Sequence, residues 1–374
     1  MNYQANDVAA MLVDSATAFI DKAYQSRPPR FQVEEPQRLD RPLWAEMARL
    51  GWLGMALPES LGGLGMGMHE AASLAQVLGR KAVAEPYTAA AVLPGLLLSY
   101  CDAASPLVQD LAEAAISGEK LFTVAWQETA GSSLGAQAPS TRLDSGELTG
   151  VKSFVPALED DSLMLVTASA GEELVVLAVA ADAQGVSWQR RAGGLMSYST
   201  VSFDAVVVPA ANILLRGADS VRALKAMLEG GRVAIAAQLS GIAAGALEKT
   251  VTYVNQRVQF ERPIGSFQTI QHRCVDGNIA VMLADASWRN AQRLFDLDPL
   301  GLATEAAVSA AKARGADAAM QVCRAAVQMH GAMGFTEEAG VGAYLRAAMQ
   351  LSGWLGNSTS HRRRFLAAQG DHSL

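Results

Sequence analysis

Residues 257–273 read RVQFERPIGSFQTIQHR. Arg257 closes a long helical pattern, Pro263 stops its continuation, and Ser266 offers a side-chain cap for a second helix starting just beyond. The stretch is therefore predicted to be a corner between two helices. It also concentrates recognition residues, Arg257, Phe260, Phe267, Gln268, Gln271 and His272, without a cysteine or a carboxylate cluster to do chemistry.

Working outward, the residues before the corner, VRALKAMLEGGRVAIAAQLSGIAAGALEKTVTYVNQ (221–256), carry a helical pattern interrupted by glycines. Each glycine costs up to about 1 kcal/mol relative to alanine in a helix, so their presence predicts helices packed close together. Two more long alanine-rich runs follow the corner, which makes 218–374 a helical bundle, expected to contain four helices. From about Phe122 to Leu215 the texture differs. SLMLVTA, ELVVLAVA, VSWQR and STVSFDAVVVP alternate or are β-branched, with Gly, Asp and Ser clusters between them, and predict a β-barrel or sandwich over 119–217. Residues 1–118 return to amphipathic stretches such as LWAEMARLGWLGMAL and HEAASLAQVLGRKAVAEP and form a first helical domain. The chain is thus α+β, with a β unit set between helical units. Lacking a βαβ rhythm, it is not a parallel-sheet nucleotide-binding fold. The G-x-G-x-G inside PESLGGLGMGMHE (58–70) follows Pro58, Glu59 and Ser60 and not an apolar strand, so it reads as a loop between helices.

Composition narrows the function classes. Half of the 374 residues are hydrophobic, 18% are charged and the net charge is −7, a globular balance without a nucleic-acid footprint. The single basic cluster, Arg362 to Arg364, reads as a solvated helix end. Cys101, Cys274 and Cys323 are far apart, with no CxxC and no histidine pair at zinc spacing, so they are expected to be small core residues and no metal site is expected. No apolar run has the length of a membrane span and the start lacks the pattern of a signal peptide, which predicts a cytoplasmic protein that binds no membrane.

The α–β–α order, taken with three motifs, resembles the acyl-CoA dehydrogenase family of flavoproteins. The corner is similar to the family's R-x-x-F-G-x-P-I-x-x-F-Q-x-x-Q-H, matched by Arg257, Phe260, Pro263, Ile264, Phe267, Gln268, Gln271 and His272. QMHGAMGF (328–335) is similar to Q-x-x-G-G-x-G-F, with Ala332 at the second glycine. In the β unit, AWQETAGSS (125–133) looks like a shortened T-E-P-x-A-G-S-D, and LTGVKSF (148–154) like L-x-G-x-K-x-x-I. VLGRKAVAEP (77–86) and QMHGAMGFTEE (328–338) resemble most the bacterial group containing the pimeloyl-CoA dehydrogenase small subunit.

The resemblance implies FAD held where the β unit meets the C-terminal bundle, with part of the cofactor reaching a second subunit. Arg257 meets the pyrophosphate, Phe260 packs on the adenosine end, and Gln328 with the backbone of Gly331 and Ala332 approaches the diphosphate of a neighbouring subunit. Gln268 belongs to the same clamp and, with His272, to the subunit contact. Thr129, Gly131, Ser132 and Ser133 face the flavin ring and pyrophosphate; Phe154 and Val155 cover a ring face, core packing being the alternative. The implied reaction removes the α-proton of an acyl-CoA and passes a hydride from the next carbon to the flavin, giving a 2-enoyl-CoA. Electron-transfer flavoprotein is the implied acceptor, and the implied assembly is a homotetramer or a heterotetramer with a paralogous subunit. A non-catalytic flavin-binding or architectural subunit and a flavin oxidase or monooxygenase are the alternatives on this fold.

Two departures bear on chemistry. The family's usual catalytic glutamate falls at Leu355, nine residues after Arg346, and its less common site, directly before a helix arginine, falls at Gly231 before Arg232. The nearest carboxylate, Glu229, lies three residues before Arg232, nearly one helical turn, and is the candidate base; its other reading is a solvated helix residue paired with Arg232 or Lys225. Glu261 stands where the family has a glycine beside the cofactor.

Overall fold

The computed structural model describes residues 3–24, 39–129, 138–191 and 196–370. Five helices come first: α1 (Tyr3–Tyr24), α2 (Arg41–Arg49), α3 (Gly67–Arg80), α4 (Leu93–Leu98) and α5 (Pro106–Ser117). Eight strands follow: β1 (Phe122–Ala125), β2 (Arg142–Asp144), β3 (Glu147–Pro156), β4 (Leu163–Ala170), β5 (Glu173–Ala180), β6 (Val186–Arg191), β7 (Tyr198–Val207) and β8 (Ile213–Arg216). The 40-residue α6 (Gly217–Gln256) leads into a minimal hairpin, β9 (Val258–Gln259) and β10 (Arg262–Pro263). The chain ends with α7 (Gln268–Leu297), α8 (Leu302–His330), α9 (Val341–Gly353) and α10 (Ser358–Ala368). It divides into two compact units, one comprising Met1–Phe31, Ala72–Ala84 and Arg232–Leu374, the other Gln32–Ala71 and Glu85–Gly231.

The eight strands form one sheet in the order β6-β7-β3-β2-β4-β5-β8, with β1 parallel to β4. Its buried face draws on period-2 alternation. Along β7, Val201 and Phe203 enter a core with Leu148, Met164, Val166, Val175, Leu177 and Val179, while Thr200 and Ser202 are only half buried. Residues 58–66 lie between helices, as the sequence predicts, with a short 3₁₀ turn at Glu59–Leu61, while the end of the segment, 67–70, is already the first turn of α3.

In the other unit, the glycines of α6 let α3 approach backbone to backbone. A Cβ on Gly241 would lie 2.0 Å from the Gln76 carbonyl oxygen, and one on Gly245 would lie 2.1 Å from that of Arg80. Gln76 Nε2 donates to Asp285 on α7 at 2.6 Å, and the Tyr344 hydroxyl on α9 donates to the Arg80 carbonyl at 2.9 Å. The basic cluster is not simply solvated. Arg362 pairs with Asp317, and Arg364 with Glu305 at 3.3 Å and Ser309 at 3.1 Å, its side chain only 9% exposed. Among the described residues no helix is long and apolar enough to cross a membrane, and no group of three or more His, Cys, Asp and Glu side chains is placed to hold a metal.

Candidate active site

The corner that opened the sequence is a two-residue hairpin: Gln259 opposes Arg262 and Val258 opposes Pro263. Phe260 and Glu261 therefore occupy both central turn positions, with φ of 53° and 65°. Such a turn needs left-handed backbone at each position and favours glycine or asparagine, so Phe-Glu is held there under strain. The turn is tied down at its base, where Ile264 N–H donates to the Arg257 carbonyl at 2.8 Å. Phe260 is 85% exposed and meets Phe267 edge to face at 6.2 Å, and Arg262 lies over the Phe267 ring. Arg257, Gln268 and His272 are also exposed. The N-cap of α7 is Phe267 and not Ser266, whose hydroxyl donates back to the Pro263 carbonyl at 2.7 Å and so is spent on closing the preceding 3₁₀ turn.

At the end of α8, Gly331 takes φ 60°, ψ −136°, a conformation open only to glycine, and a Cβ there would meet nothing within 4 Å. Its backbone is thus bared to solvent beside exposed Gln328 and Ala332. The neighbouring Gly334 is required sterically, since a Cβ would sit 2.5 Å from the Val327 carbonyl oxygen. An open cleft of about 190 Å³ adjoins it, lined by Phe335, Glu337, Arg346 and Met349 among others. Just before it, His330 stacks on Tyr253 with ring centroids 4.2 Å apart; burial lowers the histidine's pKa, opposed by its Nδ1 contact with the Ala326 carbonyl and reinforced by Lys249.

In the sheet, the two motifs 125–133 and 148–154 meet through an ion pair that spacing alone does not reveal. Lys152 is fully buried and donates to Glu128 at 2.7 Å and to the Thr167 hydroxyl at 3.2 Å. Glu128 also accepts from the backbone N–H and hydroxyl of both Ser140 and Thr141 at 2.6–3.0 Å. Burial works against the charged carboxylate, but these bonds outweigh it and hold its pKa down at about 2. Burial draws Lys152 down to about 8, with Glu128 opposing. Two residues on, Phe154 has φ 56° and is 45% exposed, edge to face with Tyr198 at 6.5 Å. The side chain of Val155, expected beside Phe154 at a ring face, is 1% exposed and packs in the sheet core. Thr129 is described; Gly131, Ser132 and Ser133 lie outside the described residues.

Leu355, at one of the two expected base positions, lies in a strained turn. Leu355 is 1% exposed and adopts φ 55°, next to Gly356 at φ 107°. Three buried basic groups grip this turn by its carbonyls. Arg232 Nε and His361 Nε2 donate to the Leu355 oxygen at 3.3 and 2.9 Å, and Lys312 Nζ donates to those of Leu351, Ser352 and Gly356 at 3.0, 3.1 and 2.9 Å. Burial, with Arg232 adding repulsion, pulls Lys312 down to about 7; burial, Lys312 and Arg232 keep His361 neutral, its pKa near about 2. Glu229 is 1% exposed, which removes the reading of it as a solvated helix residue.

This fold and these motifs place the chain in the acyl-CoA dehydrogenase family. The family's N-terminal domain matches residues 6–101 and its C-terminal domain residues 221–369. The chain is an oxidoreductase acting on an acyl-CoA, with the family's FAD as cofactor. It is 32% identical over 339 residues to acyl-CoA dehydrogenase FadE27 of Mycobacterium tuberculosis, covering 88% of each chain. Among solved structures it is similar to a chain of the ChsE4–ChsE5 complex from Mycobacterium tuberculosis, 28% identical with a TM-score of 0.84 over 100% of this chain and 99% of that one. It is also similar to the Tcur3481–Tcur3483 steroid ACAD, 26% identical with a TM-score of 0.83 over 97% and 99%.

Proposed function

We propose that this chain is a cytoplasmic, FAD-binding subunit of an acyl-CoA dehydrogenase that works with a paralogous subunit, forming a 2-enoyl-CoA and passing electrons to an electron-transfer flavoprotein. The single observation that carries the reading is a contrast. Recognition residues are bared to solvent, while the expected position of the base is a buried leucine.

Those recognition residues fit FAD. Arg257 supplies an exposed guanidinium for the pyrophosphate, Phe260 an aromatic face for the adenosine end, and the bared backbone of Gly331 and Ala332 with Gln328 suits close approach to phosphate. Gln268 extends the clamp, and Thr129, Phe154 and the segment of Gly131, Ser132 and Ser133 are assigned to the flavin end. Bound flavin supplies hydride acceptance; the protein's share is to orient the acyl chain, exclude water and hold the α-proton. Within this chain Glu229 is the candidate carboxylate for that proton; a paralogue bringing its own base makes the site composite. On this reading the chain has three domains, 1–118, 119–217 and 218–374.

A non-catalytic flavin-binding subunit is the second reading, and Leu355 favours it. The steroid ACAD and the ChsE4–ChsE5 complex, both two-protein assemblies by name, support a heteromer resembling the small-subunit group and a bulky, steroid-like acyl group. Anaerobic titration of the purified chain with a panel of acyl-CoAs, alone and co-expressed with the paralogue, tests the proposal. Flavin absorbance is expected to bleach, and Glu229→Gln is expected to abolish bleaching in the chain alone. Bleaching by the variant at the parent's rate excludes Glu229, and an assembly in which this chain's flavin never bleaches leaves the non-catalytic reading.

A further inference from the structure

Phe154 sits in a defect of the sheet. Lys152 opposes Val201 and Val155 opposes Ser199, so three steps along β3 meet two along β7, and the extra residue is accommodated at a register shift. Bulges re-aim side chains, and an aromatic at φ 56° persists only where its surroundings hold it. On one side the bulge is anchored by Val155 in the core. On the other stands Lys152, a lysine with no exposed surface, bonded to Glu128. Glu128 lies outside any strand, beside Thr129, and its neighbour Gln127 bonds both segments: its carbonyl accepts from Ser153 N–H at 2.8 Å and its Nε2 donates to the Thr129 carbonyl at 3.0 Å. A buried ion pair stabilises a fold little, since desolvation offsets the attraction, but it fixes geometry when its lone pairs are saturated, as those of Glu128 are.

We propose that Glu128 and Lys152 are positioning residues that set Thr129 and the Phe154 bulge against the cofactor. This rests on the reading above that Thr129 and Phe154 meet FAD. Neither residue donates or accepts a proton in the reaction; the pair acts through the two segments that it ties together.

The test is the double variant Glu128→Gln/Lys152→Met, which strands no buried charge, with 4-fluorophenylalanine placed at position 154. Its thermal midpoint is expected within a few degrees of the parent's, its single ¹⁹F resonance is expected to shift or broaden in the flavin-free protein, and FAD is expected to bind at least about tenfold more weakly. A folded double variant with the parent's ¹⁹F resonance and FAD affinity overturns the proposal, and so does one in which only the melting temperature falls. If the double variant does not fold, Lys152→Arg, which keeps the charge but changes the reach, is read by the same two signals. A parent chain that takes up no FAD overturns the functional reading, while the ¹⁹F signal still decides whether the pair sets Phe154.

Discussion

Replacing Lys312 by Met tests whether the turn at Leu355 is held by a cation working against its own burial. Lys312 has no exposed surface and its three acceptors are all backbone carbonyls, so methionine fills a similar volume but leaves three carbonyls without that donor. A neutral amine has two N–H groups, so at about 1–3 kcal/mol for each carbonyl that loses its donor the substitution destabilises by roughly 2 kcal/mol or more when the lysine is neutral. The pH dependence sharpens this. The pKa of Lys312 falls from 10.5 to about 7 in the folded chain, so between those values the unfolded chain binds the extra proton. The lysine's contribution is fully present above the unfolded value and is lost as pH falls toward 7. Stability therefore rises with pH at up to about 1.4 kcal/mol per pH unit, with half that slope at pH 7 itself, which gives roughly 2 kcal/mol from pH 7 to pH 9, and Lys312→Met abolishes that slope. Calorimetric melting of parent and variant at pH 6, 7, 8 and 9 gives the comparison; other groups that titrate there, including Lys152, are common to both proteins and cancel. The gap in melting temperature is expected to be nearly constant up to pH 7 and to widen by about 3 °C by pH 9. A gap that stays constant or narrows with rising pH would refute the reasoning, because the three carbonyls would then hold the ammonium better than water does.

Glu261→Gly removes about 1–2 kcal/mol of left-handed strain and returns somewhat less as glycine's unfolded-state freedom, so a rise of a degree or two in melting temperature is expected, with FAD retention improved by the loss of a carboxylate. A lower melting temperature counts against the strained turn. Val275, Ile279, Met282 and Leu283 form an exposed apolar stripe on α7 in the same unit as the exposed Phe260, which supports a subunit contact there. Ile279→Lys with Met282→Lys is expected to reduce the assembly's mass in light scattering, and an unchanged mass excludes this stripe as the contact.

What the sequence disclosed was local or periodic. The alternation in STVSFDAVVVP places Val201 and Phe203 in the sheet core, and the glycines of α6 mark the close approach that Gly241 and Gly245 allow. The corner at 257–273 was legible because Pro263 ends a pattern, but its cap was not: Ser266 and Phe267 differ by one residue, and hydroxyl bonding to Pro263 decided between them. The Glu128–Lys152 pair and the Lys312 cluster were hidden because each joins residues more than twenty positions apart, and lysine's usual place is the surface. Lys152 lay inside a motif already noticed, where a lysine on the same strand parity as the buried Leu148 was the available clue. Val155 was ambiguous because a β-branched residue beside an aromatic serves a core as readily as a cofactor.

The turn at Leu355 bears on how this chain departs from its family. A leucine at φ 55° costs of order 1 kcal/mol, and Leu355→Gly would remove the cost, so a turn without a task has an easy route to relaxation. Here the strained backbone is instead held by Arg232, His361 and Lys312, all buried, at a desolvation cost that an apolar packing would avoid. The turn at the expected base position is thus firmly built while its side chain is apolar and buried. The support of that turn is intact, and Arg257, Phe260 and Gln328, the residues proposed to meet the cofactor, are exposed. A subunit that had ceased to bind cofactor and substrate would have no use for either feature, which favours a chain that still forms part of an acyl-CoA site while the proton is taken by a carboxylate elsewhere.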